Sequence, residues 1–130
     1  MSHHRKRILI VHWDDDQLIF LERLLEHQGY ETVTTWDVQE GLALLRSRHF
    51  DLVVAADHEP HLDAGEILRA AQSRTPCIVL RNGGQSDPAY FFGLGAKAVL
   101  FPWERESFLT CVQETLGKNR PAVMPSIAAD

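Results

Sequence analysis

Residues 8–17 read ILIVHWDDDQ: four apolar residues run without a polar break into a histidine and a tryptophan, and three aspartates follow. An apolar run of this kind, with no in–out alternation, is the mark of a parallel strand covered on both faces. Acids just past such a strand stand at its carboxyl end, where open α/β sheets bind their ligands. The decapeptide therefore sets two questions. The first is whether strand and helix keep alternating along the chain. The second is whether the aspartates stand in register to hold anything.

The alternation continues. Apolar or β-branched runs at 7–12, 31–35, 51–56, 77–81 and 98–101 predict five strands, separated by five helical patterns. Phe20, Leu21, Leu24 and Leu25 form the first helical stripe, which stops at Gly29. Asp37 followed by Glu40, and Asp63 followed by Glu66, have capping-box spacing and predict two more helix starts. Asp87-Pro88 supplies a cap and a first-turn proline for the fourth helix, which ends near Gly95. Phe108, Leu109, Val112 and Leu116 make the last stripe, ending at Gly117. A regular βα alternation with short loops predicts one α/β domain, a doubly wound parallel sheet with helices on both faces. Residues 1–6 read as a basic tail, 7–117 as the domain, and 118–130, with Pro121 and Pro125, as a tail or truncated linker.

Composition narrows the function classes. The chain has 130 residues, 45% hydrophobic and 24% charged, which is enough for a packed core. A net charge of −5 argues against a nucleic-acid binder, whose phosphate contacts need a basic surface. No apolar run approaches the roughly 20 residues of a membrane span, and the amino terminus lacks a signal-peptide pattern. Cys77 and Cys111 are too few for a disulfide framework and predict reduced thiols in a cytoplasmic protein.

The stretches RILIV, LLEHQGYETVTT, GLALLRSRHFDLVV, EPHLDAGEIL, TPCIVL and GLGAKAVLFPW, in that order and spacing, resemble a response-regulator receiver domain over about residues 6–117. The resemblance implies a flavodoxin-like (βα)5 sheet in the order 2-1-3-4-5 and a role in two-component signalling or phosphorelay. It also implies five chemical positions. Two acids after the first strand and an aspartate after the third hold Mg²⁺, and that aspartate takes the phosphoryl group. A hydroxyl after the fourth strand and a lysine after the fifth sense it.

Carried onto this chain, the acid pair falls on His12 and Trp13, counting back from Gly29-Tyr30. The acceptor falls on Ala56, four before Pro60, the hydroxyl on Arg81 and the lysine on Phe101. All five residue types are replaced. Alanine has no oxygen for an acylphosphate, and an imidazole and an indole are poor substitutes for the hard oxygen ligands that Mg²⁺ takes. Arg81 brings a fixed charge and bulk, and Phe101 removes a point charge. The expectation is a degenerate pseudo-receiver with no enzymatic activity, no cofactor and no metal. It would act by protein–protein contact, of which a homodimer is one form, with no nucleic acid or membrane as partner.

Other readings attach to neighbouring residues. Asp57 is one place past the acceptor position and Asp14 one place past the pair, so Asp57 could take a phosphoryl group with Mg²⁺ if Asp14 and Asp15 served as the acids. A one-residue slip turns a strand side chain to the other face unless a bulge restores it. Asp14, Asp15 and Asp16 are otherwise a helix cap and an acidic rim. His12, Asp57, His58, Glu59 and His61 could converge with Asp14, Asp15 and Asp16 on a transition metal, making the altered pocket a metal or small-molecule sensor. Arg81 either pairs with a carboxylate such as Asp14 or faces solvent. Tyr90, Phe91 and Phe92 are consecutive on the fourth helix, so they cannot all face inward. With Trp103, expected to be partly packed, they form the candidate interaction surface.

Overall fold

The computed structural model describes residues 5–57, 63–71, 74–81 and 87–117. The elements alternate as β1 (Arg7–Val11), α1 (Asp15–His27), β2 (Glu31–Thr35), α2 (Val38–Ser47), β3 (Leu52–Asp57), α3 (Ala64–Ala71), β4 (Cys77–Arg81), α4 (Pro88–Gly93), β5 (Ala98–Leu100) and α5 (Arg105–Leu116). The strands form one parallel sheet in the order β2-β1-β3-β4-β5. The doubly wound architecture expected from the alternation is the one observed.

Strands β1, β3 and β4 divide their side chains between two cores. Leu9, Val11, Val53, Ala55, Cys77 and Val79 face α2, α3 and α4 and meet Leu42, Ile67, Leu68 and Phe91. Ile8, Ile10, Leu52, Val54, Ile78 and Leu80 face α1 and α5 and meet Leu21, Leu25, Phe108 and Val112. This two-sided burial is why the runs at 8–11 and 52–56 carry no polar alternation. Cys77 lies within it, and burial pushes its thiol pKa up to about 12.

Local chemistry sets the helix limits. Asp14 caps α1 by accepting from the Asp16 N–H at 2.9 Å, and Asp87 caps α4 through the Ala89 N–H with Pro88 in the first turn. Gly29 ends α1 at φ 94°, the left-handed conformation that lets the Tyr30 N–H return to the Leu25 carbonyl at 3.2 Å. At α2 the expected capping box is rearranged. Asp37 accepts from the Gln39 N–H at 3.1 Å, but Glu40 takes the Thr35 hydroxyl, and Thr35 Oγ1 in turn accepts from the Asp37 N–H at 3.1 Å. The buried Thr35 hydroxyl thus intercepts the carboxylate that would otherwise reach the cap.

Three strands differ from expectation at their ends. β1 stops at Val11, before His12. β3 is displaced by one residue. Asp51 stays outside it because its carboxylate accepts from the Arg7 N–H at 2.8 Å and contacts His49, while Asp57 remains in the ladder opposite Arg81. β5 ends at Leu100 because the Phe101 N–H turns to Glu104 Oε2 at 2.8 Å instead of a neighbouring strand. The expected tail from residue 118 lies outside the described residues.

Candidate functional site

The carboxyl ends of the strands hold the residues singled out in the sequence, and the register fixes their neighbours. Val11 stands between Thr35 and Ala55, Ala56 is level with Leu80, and Asp57 is level with Arg81.

His12 and Trp13 part to opposite sides of the sheet. His12 is only 3% exposed and joins Leu21, Phe101 and Phe108 around a cavity of about 20 Å³ on the α1–α5 side, the space of about one water. Its Nδ1 accepts from the Asp14 N–H at 3.0 Å, so that nitrogen carries no proton in this arrangement. Trp13 is half-buried on the other side, against the cluster that contains Ala55 and Ala56, with its ring centroid 5.7 Å from that of His12. Asp15 and Asp16 follow as exposed first-turn residues of α1, where the helix dipole favours negative charge.

At the third strand, Ala56 is buried and contributes a methyl group to the core. Asp57 is buried as well. Pairing with β4 runs in unbroken register from Val53–Cys77 to Asp57–Arg81, so no bulge realigns it. Its Oδ1 accepts from the Ala64 N–H at 3.1 Å, across the start of α3, where Asp63 also accepts from the Gly65 N–H at 2.8 Å. The Asp57 carboxylate thus meets one of the donors that a helix amino terminus would otherwise leave unsatisfied.

The far side is aromatic. The Arg81 guanidinium lies 5.4 Å from the Phe101 ring centroid, and Phe101 stacks on Trp103 at 4.7 Å with 5° between the ring planes. Cation–π attraction holds the first layer and stacking the second. The register brings Asp57 beside Arg81, whereas Asp14 directs its carboxylate to its own helix. Sequence reading named Arg81, Phe101 and Trp103 separately. Their stacking depends on the pairing of β4 with β5 and on the turn closed by the Glu104 N–H on the Phe101 carbonyl at 3.0 Å. The proline and the following acid in FPWE are the only local trace of that turn.

The fourth helix divides its aromatics. Phe91 is fully buried under α4 and leaves the candidate interaction surface, because it points along the face that closes the core. Phe92 is 50% exposed and Tyr90 41%. Tyr90 is tied back onto α3: its hydroxyl accepts from Arg69 Nη2 at 2.9 Å and lies 2.8 Å from where a Cβ on Gly65 would stand. Trp103 is 73% exposed, more than the expected partial packing, because stacking covers only one face of the indole.

Among the described residues, no group of three or more His, Cys, Asp or Glu side chains is placed to hold a metal ion. His58, Glu59 and His61 lie outside the described residues. No helix among the described residues is long and apolar enough to cross a membrane.

The order of the sheet and its matches to solved structures decide the fold. A CheY-like receiver domain protein from Methanospirillum hungatei superposes with a TM-score of 0.76 and 28% identity, over 85% of this chain and 93% of its own. The chain has the fold of a response-regulator receiver domain. The receiver domain of Francisella response regulator 1452 matches at a TM-score of 0.74 and 20% identity, over 85% of this chain and 96% of its own. Vibrio cholerae chemotaxis protein CheY4 matches at 0.75 and 22%, over 87% and 100%. In sequence, the response regulator ArlR of Staphylococcus aureus is 34% identical over 76 residues, 57% of this chain and 35% of its own length. The match thus spans about a third of that curated relative. No family model matches the chain. His12, Trp13, Ala56, Arg81 and Phe101 lie at or beside the carboxyl ends of β1, β3, β4 and β5.

Proposed function

We propose that this receiver-fold chain is a signalling module that works without phosphorylation, by contact with a protein partner. One observation carries the reading: Ala56, which the receiver resemblance implies as the acceptor position, is buried in the core, and the neighbouring carboxylate of Asp57 is engaged at the start of α3. His12 and Trp13 add no hard oxygen ligand beside it, and the Arg81–Phe101–Trp103 stack occupies the sensing side. Phe92 and Trp103 offer the exposed aromatic surface from which a contact is built.

Amide NMR during titration with Mg²⁺ and then beryllofluoride tests the reading. The amides of His12, Ala56 and Arg81 are expected to stay in place. Their coordinated movement, abolished by Asp57→Ala, would replace this function with phosphorylation at the displaced aspartate. A melting temperature that rises with Zn²⁺ or Ni²⁺ would instead support a sensor, because binding to the folded state alone stabilises it.

A further inference from the structure

At the opposite end of the sheet, the segments that lead into β3 and β4 enclose a groove of about 290 Å³. Its walls carry Arg46, Arg48, His49 and Arg74, and Leu45 and Ala70 contribute apolar surface between them. Among the described residues, no aspartate or glutamate lines it. Among the described residues, the ion pairs are Arg7–Glu31 and His49–Asp51, so Arg46, Arg48 and Arg74 face the groove without a carboxylate partner. This is a concentration of positive charge on a chain whose net charge is −5.

The ends of α2 and α3 at the groove oppose an anion, since each helix carboxyl terminus carries about half a negative charge. Three guanidiniums outweigh two such half-charges by roughly two units. The Arg48 N–H also closes on the Leu44 carbonyl at 2.9 Å, which satisfies one of the carbonyls at the end of α2.

We propose that this groove binds a phosphate-bearing small molecule with at least two phosphoryl groups. Guanidinium forks match phosphate oxygens in pairs and are less strongly hydrated than ammonium groups, which favours phosphate at a cluster of arginines. The volume lies at the lower bound of small-molecule sites, roughly 300 Å³. The apolar surface of Leu45 and Ala70 accommodates an organic portion of the ligand. The site is remote from the strand carboxyl ends and stands whether or not the phosphorylation-independent reading survives.

The test is an amide NMR titration of the full chain with inorganic pyrophosphate, then with ADP, then with an acidic peptide without phosphate. Pyrophosphate is expected to shift amides in 45–50 and 74–75, and to bind more weakly as salt rises. ADP binding more tightly than pyrophosphate would identify a nucleotide-type ligand, and equal affinity a phosphate group recognised alone. In a variant carrying Arg46→Gln, Arg48→Gln and Arg74→Gln, affinity should fall by about ten-fold for each guanidinium removed. All three side chains are exposed, so the variant should fold, and its unchanged remaining spectrum checks this. Absence of pyrophosphate shifts, equal shifts in the triple variant, or tighter binding of the acidic peptide would each overturn the proposal.

Discussion

The two ends of the sheet use their polar side chains in opposite ways. At the carboxyl end, polar groups are taken up by the fold: His12 by the Asp14 N–H, Asp14 by the Asp16 N–H and Asp57 by the Ala64 N–H. At the amino end, Arg46, Arg48 and Arg74 surround a groove and have no ion-pair partner among the described residues. A polar group committed to backbone hydrogen bonds contributes to stability and has little left to offer a ligand. One left uncommitted contributes little to stability and remains available. Substitutions at the carboxyl end should therefore change the unfolding free energy, whereas those at the amino end should change binding.

The largest effect is expected at Trp13. Trp13→Ala removes a half-buried indole from the cluster around Ala55 and Ala56 and should cost about 2–3 kcal/mol in urea unfolding, somewhat less than for a fully buried aromatic. Asp57→Ala comes next. It leaves the Ala64 N–H without its carboxylate, and a loss of about 2 kcal/mol is expected. A loss below about 0.5 kcal/mol would mean that Asp57 is not committed to the fold and would break the comparison at its centre. Asp14→Ala should cost about 1 kcal/mol, the usual worth of an N-cap.

Asp51 sharpens the contrast because it lies at the amino end but is committed to the fold. Burial alone would raise its pKa. The Arg7 N–H, the hydrogen bond to His49 and the charges of His49 and Lys6 together outweigh burial and hold it below its ordinary 3.8. A depressed folded pKa gives stability that is full above the unfolded pKa and is lost as pH falls through the folded one. Asp51→Ala should thus cost about 1 kcal/mol near pH 7. The gap between variant and parent should narrow below about pH 4, as thermal melts at several pH values would show. The smallest effect is expected from Arg46→Gln, Arg48→Gln and Arg74→Gln, each within about 0.5 kcal/mol of the parent.

Most of the sheet was legible from local pattern, because two-sided burial writes itself into the chain as unbroken apolar runs. The residues 31–35 and 77–81 were expected as strands and are strands. Asp37 and Asp87 cap the helices they introduce, and Gly29, Gly95 and Gly117 all have positive φ. Less legible was whatever depends on a neighbour distant in sequence. The start of β3 is set by the carboxylate contacts of Asp51 and its last residue by pairing with Arg81, neither of which leaves a local mark. Within the run Tyr90-Phe91-Phe92, composition gives three equivalent rings, and only the placement of α4 against the core buries the middle one. The arginine groove combines two segments about 25 residues apart, and RSRH at 46–49 was its only visible sign.

The buried thiol of Cys77 has a practical consequence. With its pKa pushed up to about 12, it forms almost no thiolate at neutral pH, and as the first residue of β4 it is buried in the core where reagents do not reach. Alkylation of Cys77 therefore waits for the central strands to separate. Its labelling rate is a built-in clock for global opening, while the half-exposed Cys111 on α5 offers a second reading from the periphery of the same molecule.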